Sequence, residues 1–212
     1  MINVLITAGP TCEKIDPIRY ISNNSSGKQG YAIAEHMNKI GWKVNLVSGP
    51  VHIKGYNIEN IIYVNTAYEM LQACIKSLPV DVAIFTAAVT DWCPIYSPTK
   101  IKKERITSIH VTHNPDIIHQ ISTHQKRPKL VIGFSLESEN IVENSQKKLF
   151  NKKCDWIIAN AININNQEVM GNDNNQITII TKDKNYKFPI MSKKDIAKLI
   201  TEKIIGFLDN HN

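Results

Sequence analysis

The chain has 212 residues, 42% of them apolar and 21% charged, with a formal net charge of +6 at pH 7. That length suits one generous domain spanning residues 1–212 with a real hydrophobic core. No apolar run reaches the roughly 18 residues a membrane-spanning helix needs, so no membrane span is expected. The positive balance fits a polyanionic partner without choosing between nucleic acid and a small substrate.

The first residues, Met1-Ile2-Asn3-Val4, carry no basic n-region and no cleavage site, and a cytoplasmic location is the expectation. Cys12, Cys74, Cys93 and Cys154 are scattered without a CxxC pair. That spacing argues against a disulfide framework and a structural zinc site, and fits a reducing compartment.

Short β-branched runs alternate with longer amphipathic segments, which predicts an α/β fold. The expected form is a doubly wound, mostly parallel Rossmann-like sheet with helices on both faces and a small antiparallel extension. Residues 3–7 read as the first strand. A loop over 7–30 follows, several times longer than the usual strand-to-helix connection of about 2–6 residues. Residues 29–40 read as a helix, with Ala32, Ile33, His36, Met37 and Ile40 at helical spacing and Gly41 as its stop. Strands follow at 44–47 and 61–64. Thr66-Ala67-Tyr68-Glu69 predicts a capping box opening a helix to about Ser77.

The nearly all-apolar run 81–88 predicts a central parallel strand. An irregular stretch over 89–104 leads to an expected strand at 106–111. Asn114-Pro115-Asp116 reads as a helix start with an Asn cap, Pro in the first helical position and an acid in the first turn. That helix runs to about Thr123. A strand over 130–134, a helix over 140–152 and a strand over 156–159 follow, then an Asn-rich loop over 160–175. Residues 176–181 and 186–190 pair as a hairpin across Lys182-Asp183-Lys184-Asn185. Ser192 caps a final helix to about Leu208.

In an open α/β sheet, ligands bind outside the carboxyl ends of the strands. The unusual segments here fall at such ends. Ser25-Ser26-Gly27-Lys28-Gln29-Gly30 precedes a helix and suits either a phosphate or an ordinary cap. It lacks the P-loop ending, and G-x-G-x-x-G is absent. Asn23 suits a turn or a fixed amide donor to an oxyanion. Arg19 suits a bidentate clamp on phosphate or carboxylate, or a surface salt bridge.

Ala87 and Ala88 admit close approach to the backbone. Asp91 suits a ribose hydroxyl, a base edge, a metal or a loop cap. Lys100 and Lys102 share a side if extended, with Lys103 opposite. Phe134 suits a stacked base or the core. Lys148 and Lys152, four apart, share a helical face. The Lys-rich pieces at 100–105, 147–153 and 193–203 each also read as solvated surface. His110 and His113 form an isolated HxxH without a glutamate and read as ordinary histidines.

Taken as an ordered series, these segments resemble the phosphopantothenoylcysteine synthetase family, in the bacterial nucleotide-dependent form often fused behind a flavin decarboxylase. The resemblance rests on AGPT at 8–11, IDPIRYISNNSSGKQG at 15–30, LVSGP at 46–50 and TAAVTDW at 86–92. KIKK at 100–103, NPDI at 114–117, VIGF at 131–134, KKLFNKKCDWIIAN at 147–160 and NDNNQI at 172–177 complete it. It covers nearly the whole chain. Departures are Asn24, where a His is common, and Cys12, at a usually polar position. Trp92-Cys93-Pro94 replaces Tyr- or Phe-Arg-Pro, and Ser135-Leu136-Glu137-Ser138 replaces Ala-Ala-Glu-Thr.

The resemblance implies a cytoplasmic ligase of coenzyme A biosynthesis. The carboxylate of 4′-phosphopantothenate attacks the α-phosphate of CTP, with Mg²⁺ present, and L-cysteine then displaces CMP from the acyl-cytidylate. It implies catalytic roles for Asn23, Arg19 and Lys100, and substrate contacts from Arg19, Asn23 and Ala87. Nucleotide contacts fall to Asp91, Lys100, Pro115, Asp116, Ile117, Ile118, Phe134, Lys148 and Lys152, and no metal ligand is assigned. A homodimer and a functional partnership with phosphopantothenoylcysteine decarboxylase are implied, with neither nucleic acid nor membrane as a partner. The alternative from the fold class is a nucleotide-dependent oxidoreductase. The basic pieces alone would suit a nucleic-acid-binding module, which lacks an aromatic stacking series here.

Overall fold

Side chains of the first strand, β1 (Asn3–Ala8), alternate between two hydrophobic clusters. Val4, Ile6 and Ala8 belong to one and Leu5 to the other, as the period of two in a strand requires when both faces are covered. The same alternation holds in β6 (Val82–Phe85), where Val82 and Ile84 face one way and Ala83 and Phe85 the other. The computed structural model describes residues 1–102, 108–137, 139–161 and 173–210.

An eight-stranded sheet forms the centre. It comprises β1, β4 (Lys43–Ser48), β5 (Ile61–Tyr63), β6, β9 (Leu130–Glu137), β10 (Trp156–Ala161), β11 (Asn174–Thr181) and β12 (Asn185–Ser192). Their order across the sheet is β12-β11-β10-β9-β6-β1-β4-β5. Pairings from β5 through β10 are parallel, and β11 and β12 add the antiparallel extension.

Helices α1 (Lys28–Lys39) and α5 (Lys193–Asp209) bury their apolar stripes on one face. The helices α2 (Ala67–Lys76) and α3 (Ile117–Ser122) cover the other face, joined there by Leu149 of α4 (Ile141–Lys152). No helix among the described residues is long and apolar enough to cross a membrane.

Several local signals act as expected. Thr66 and Glu69 close a reciprocal capping box at α2, and Ser192 caps α5 by accepting from the Asp195 N–H at 3.1 Å. At the start of α1, Gly27 sits at φ +74, a conformation that L side chains rarely adopt.

Other expectations need correcting. Residues 108–110 carry no strand; the strand is β8 (Val111–His113), paired antiparallel with β7 (Trp92–Pro94), while 106–107 lie outside the described residues. The cap of α3 is Asp116, whose Oδ1 accepts from the His119 N–H at 3.0 Å. Asn114 and Pro115 precede the helix, because the Asn114 amide is drawn instead to the Thr90 carbonyl at 2.7 Å. The strand expected over 81–88 stops at Phe85 and resumes only as a bridge between Ala88 and Pro10. Inside the long first loop lies an unforeseen hairpin, β2 (Cys12–Lys14) with β3 (Tyr20–Ser22). Of the Asn-rich loop, 162–172 lie outside the described residues, as do Lys103 and Ser138.

Candidate active site

The chain runs outward from β1 to β4 and β5, then crosses back to β6 and continues through β9 and β10. Strand order therefore reverses between β1 and β6, and the loops leaving these two strands diverge around a crevice. A cleft of about 810 Å³ opens there.

Three loops are stitched together to make its floor. The Thr90 N–H donates to Thr11 Oγ1 at 3.0 Å, and the two hydroxyls lie 3.1 Å apart, both residues buried. The Asn114 side chain then ties to the Thr90 carbonyl, and its N–H donates to the Asp91 carbonyl at 2.9 Å. These contacts satisfy backbone groups that would be expensive to leave unpaired. Thr11, Thr90 and Asn114 thus build the site without having stood out as site residues. All three fall inside segments that carry the family resemblance, at 8–11, 86–92 and 114–117, and Asn114 also reads as a helix cap.

On one wall, the Asn23 amide donates to the Ala88 carbonyl at 3.0 Å, fixing its nitrogen beside the small residues Ala87 and Ala88. The Ala87 N–H in turn donates to Thr7 Oγ1 at 3.3 Å. The opposite wall is built by Phe134 on β9, by Pro115, Asp116, Ile117 and Ile118 at the start of α3, and by Lys148 and Lys152 on α4. Lys152 Nζ donates to Asp116 Oδ2 at 2.9 Å. Lys148 Nζ lies 2.6 Å from Glu137 Oε1, a pair by distance rather than an aligned hydrogen bond. Each lysine is 28–41% exposed, so solvent screens these pairs and they hold the ammonium groups in place more than they stabilise the fold.

Asp91 also lines the cleft, and among the described residues its carboxylate has no hydrogen-bonding or ionic partner. His113 lies on the same rim. No group of three or more His, Cys, Asp or Glu side chains is arranged to hold a metal among the described residues. Of the two carboxylates lining the cleft, Asp91 alone is open to a divalent cation that arrives with its own phosphate oxygens and waters, since the His119 N–H and Lys152 take both oxygens of Asp116.

The structure does not bring Arg19 and Lys100 into the cleft lining; it brings them to each other's neighbourhood. Arg19 pairs with Asp16, and its Nη2 also donates to the Ile101 carbonyl at 3.0 Å. The Arg19 guanidinium beside Asp16 holds that carboxyl well below the usual carboxylate range, with backbone N–H groups of Ile18, Arg19 and Ile101 adding to the effect against its burial. Lys100, next to Ile101, is exposed.

A second hollow of about 220 Å³ adjoins the cleft and shares Ala87, Ala88, Phe134, Ser135 and Leu136 with it. The start of α1 forms its other side. There the Ser25 hydroxyl accepts from the Gly27 N–H at 3.3 Å and the Ser26 hydroxyl from the Lys28 N–H at 3.5 Å. Burial pushes the Lys193 ammonium down, with the Lys28 charge adding to it, while the Asp173 carboxylate pulls Lys28 up. Gly30 lets α1 approach β1, since a Cβ there would lie 2.6 Å from that of Ala8 and overlap Thr86.

A family model described as the DNA/pantothenate metabolism flavoprotein C-terminal domain matches residues 1–208. The coenzyme A biosynthesis bifunctional protein CoaBC of Vibrio cholerae is 37% identical over 206 residues, 95% of this chain and 51% of that protein. The chain thus spans about half the length of the curated relatives it matches. The crystal structure of the C-terminal domain of a CoaBC protein is 36% identical. The match covers 98% of this chain and 96% of that one at a TM-score of 0.83. A Cab2 mutant in complex with phosphopantothenate-cysteine shares the fold at a TM-score of 0.71. It is 15% identical, over 98% of this chain and 86% of that one.

Proposed function

The chain belongs to the DNA/pantothenate metabolism flavoprotein C-terminal domain family, and from that membership we propose that it is the ligase of coenzyme A biosynthesis that joins 4′-phosphopantothenate to L-cysteine at the expense of CTP. The observation that carries this reading is the composition of the cleft. Apart from Arg19 and Lys100, every residue that the sequence resemblance assigned to substrate or nucleotide lines it.

In the proposed arrangement the nucleotide occupies the larger cleft and the pantothenate arm reaches in from the smaller hollow. The two meet at the wall they share, beside Asn23 and Ala87. Phe134 offers its ring to the base. Lys148 and Lys152 supply positive charge to the phosphates, and Lys100, outside the cleft lining, takes its part in the first step from the resemblance alone. Asp91 would hold Mg²⁺ together with triphosphate oxygens and water, and the ion would neutralise charge on the phosphates.

In the first step a carboxylate oxygen of phosphopantothenate attacks the α-phosphorus, and the bond to the β-phosphate breaks to release pyrophosphate. In the second, the cysteine amine attacks the acyl carbon and CMP departs with that oxygen. The intervening tetrahedral centre carries a negative oxygen, for which the fixed amide of Asn23 is a suitable neutral donor. A cytoplasmic homodimer acting with a phosphopantothenoylcysteine decarboxylase completes the proposal.

Incubation with 4′-phosphopantothenate, CTP and Mg²⁺ is expected to release pyrophosphate, with CMP appearing when cysteine is added. Absence of turnover with all four nucleoside triphosphates would sink the proposal.

A further inference from the structure

The tip of the β2–β3 hairpin carries a buried carboxylate that the chemistry above does not use. The Asp16 side chain is fully buried, whereas that of its partner Arg19 is 46% exposed. The two carboxylate oxygens do different work. Oδ1 accepts from the Ile18 and Arg19 N–H groups, both at 2.9 Å, and closes the turn. Oδ2 accepts from the Arg19 guanidinium, with Nε at 3.0 Å, and from the Ile101 N–H at 3.2 Å. Arg19 Nη2 then donates to the Ile101 carbonyl. Ile101 is therefore gripped through both its donor and its acceptor by residues far away in sequence. A further tie, from the Ser97 N–H to the Ile15 carbonyl at 2.9 Å, secures the same segment to the same hairpin.

We propose that Asp16 and Arg19 form a latch that fixes the backbone of Ile101, and that Asp16 is thereby a positioning residue for Lys100 in the first half-reaction. The functional half rests on the role given to Lys100 above; the latch itself does not. The turn needs only Oδ1, so the second oxygen and the planar fork of Arg19 are committed to the distant segment. A lysine cannot reproduce that fork, because its single nitrogen cannot meet a carboxylate edge-on while also reaching a carbonyl. A charge buried this completely persists only when paired and hydrogen-bonded, which Asp16 is at both oxygens.

Asp16→Asn separates the two functions. Its amide oxygen can keep the turn, but its nitrogen then faces the donors of Arg19 and Ile101. Arg19→Lys attacks the same latch from the other side. Trypsin cleavage at the Lys100–Ile101 bond reads the latch directly, since a peptide entering the protease must give up the Ile101 N–H bond to Asp16. Both variants are expected to be cut there at least tenfold faster than the parent chain, with cleavage after Lys76 at the end of α2 unchanged as a control for global unfolding.

Asp16→Asn is also expected to slow pyrophosphate release at least tenfold. Adding Lys100→Gln to it should lower the rate less than twofold further, because residues acting through one another are not additive. An unchanged cut at Lys100 overturns the latch. Faster cutting with fully multiplicative losses in the double variant overturns the positioning role. Were the parent chain to release no pyrophosphate, the ligase reading and with it the positioning role would fall, and the trypsin comparison would still decide the latch.

Discussion

Replacing Asn23 by Asp tests how the second half-reaction works. The Asn23 amide nitrogen donates to the Ala88 carbonyl at 3.0 Å, which holds a neutral donor group in the larger cleft against a residue that both hollows share. A carboxylate there donates nothing and sets an oxygen against a carbonyl oxygen. Loss of one fixed donor to an oxyanion costs about 2.7–4 kcal/mol. A negative charge about 4 Å from the developing oxyanion adds on the order of 4 kcal/mol at an effective dielectric of about 20. If only half of that total is realised, roughly 3.5 kcal/mol, amide formation slows by about 10²- to 10³-fold. The first half-reaction, whose charge develops on the α-phosphate, is affected far less. In a single turnover with CTP and phosphopantothenate, Asn23→Asp is expected to release one pyrophosphate per site and accumulate the acyl-cytidylate, detectable by mass spectrometry. CMP release on adding cysteine should fall by the factor above. Equal losses in both half-reactions would refute the reasoning.

Lys152→Met removes the ammonium next to Asp116 and is expected to raise the Kd for CTP at least tenfold by calorimetry, since hydrogen bonds to charged groups contribute roughly 1.5–3 kcal/mol; unchanged affinity would remove Lys152 from the nucleotide site. Gly30→Ala forces a methyl group against Ala8 and Thr86, and overpacking of this kind costs about 1–3 kcal/mol. Its melting temperature should drop by roughly 2–4 °C per kcal/mol, and no drop would mean that α1 can shift freely. Burial pushes the Cys74 and Cys154 thiols up to about 12, so alkylation at pH 8 should label Cys12 and Cys93, the partly exposed pair, and reach the other two only on unfolding. Equal labelling of all four would contradict the burial. Asp16 titrates below the usual carboxylate range in the folded chain, so its stabilisation is complete above about pH 4 and is lost as pH falls further. The stability gap between the parent and Asp16→Asn should stay level from pH 7 to about 5 and narrow below 4; a gap that widens in acid would contradict the pairing.

Local signals are legible in the sequence where both partners sit within a few residues. The hydroxyl of Thr66 and the acid of Glu69 lie three apart and close the box that their spacing predicts. The hairpin of β11 and β12 forms around the polar turn at 182–185, though each strand extends beyond the expected run. The structure departs from the local pattern where a distant partner intervenes. Asn114 has the right type and place for a cap, but the Thr90 carbonyl claims its amide, and the cap passes to Asp116. Strands of three residues such as β2, β3, β7 and β8 are too short to show a period, so their hairpins stayed invisible.

The site divides in the same way. Convergence of loops at the sheet rim follows from parallel topology, and apart from Arg19 and Lys100 the residues placed there by resemblance line one cleft. The partner of Arg19 lies only three positions away, yet the use of that pair depends on Ile101, 82 residues later than Arg19. No periodicity or spacing encodes such a contact. The stitch from Thr11 through Thr90 to Asn114 is hidden for the same reason.

In the proposed reaction, activation passes one carboxylate oxygen of phosphopantothenate to the nucleotide. Supplying phosphopantothenate with both carboxylate oxygens as ¹⁸O, together with CTP and cysteine, and weighing the products by mass spectrometry tests this directly. The mechanism requires one ¹⁸O in the phosphate of CMP and none in pyrophosphate. Unlabelled CMP, with the isotope in orthophosphate or pyrophosphate instead, would contradict an acyl-cytidylate and the assignment of the cleft that rests on it.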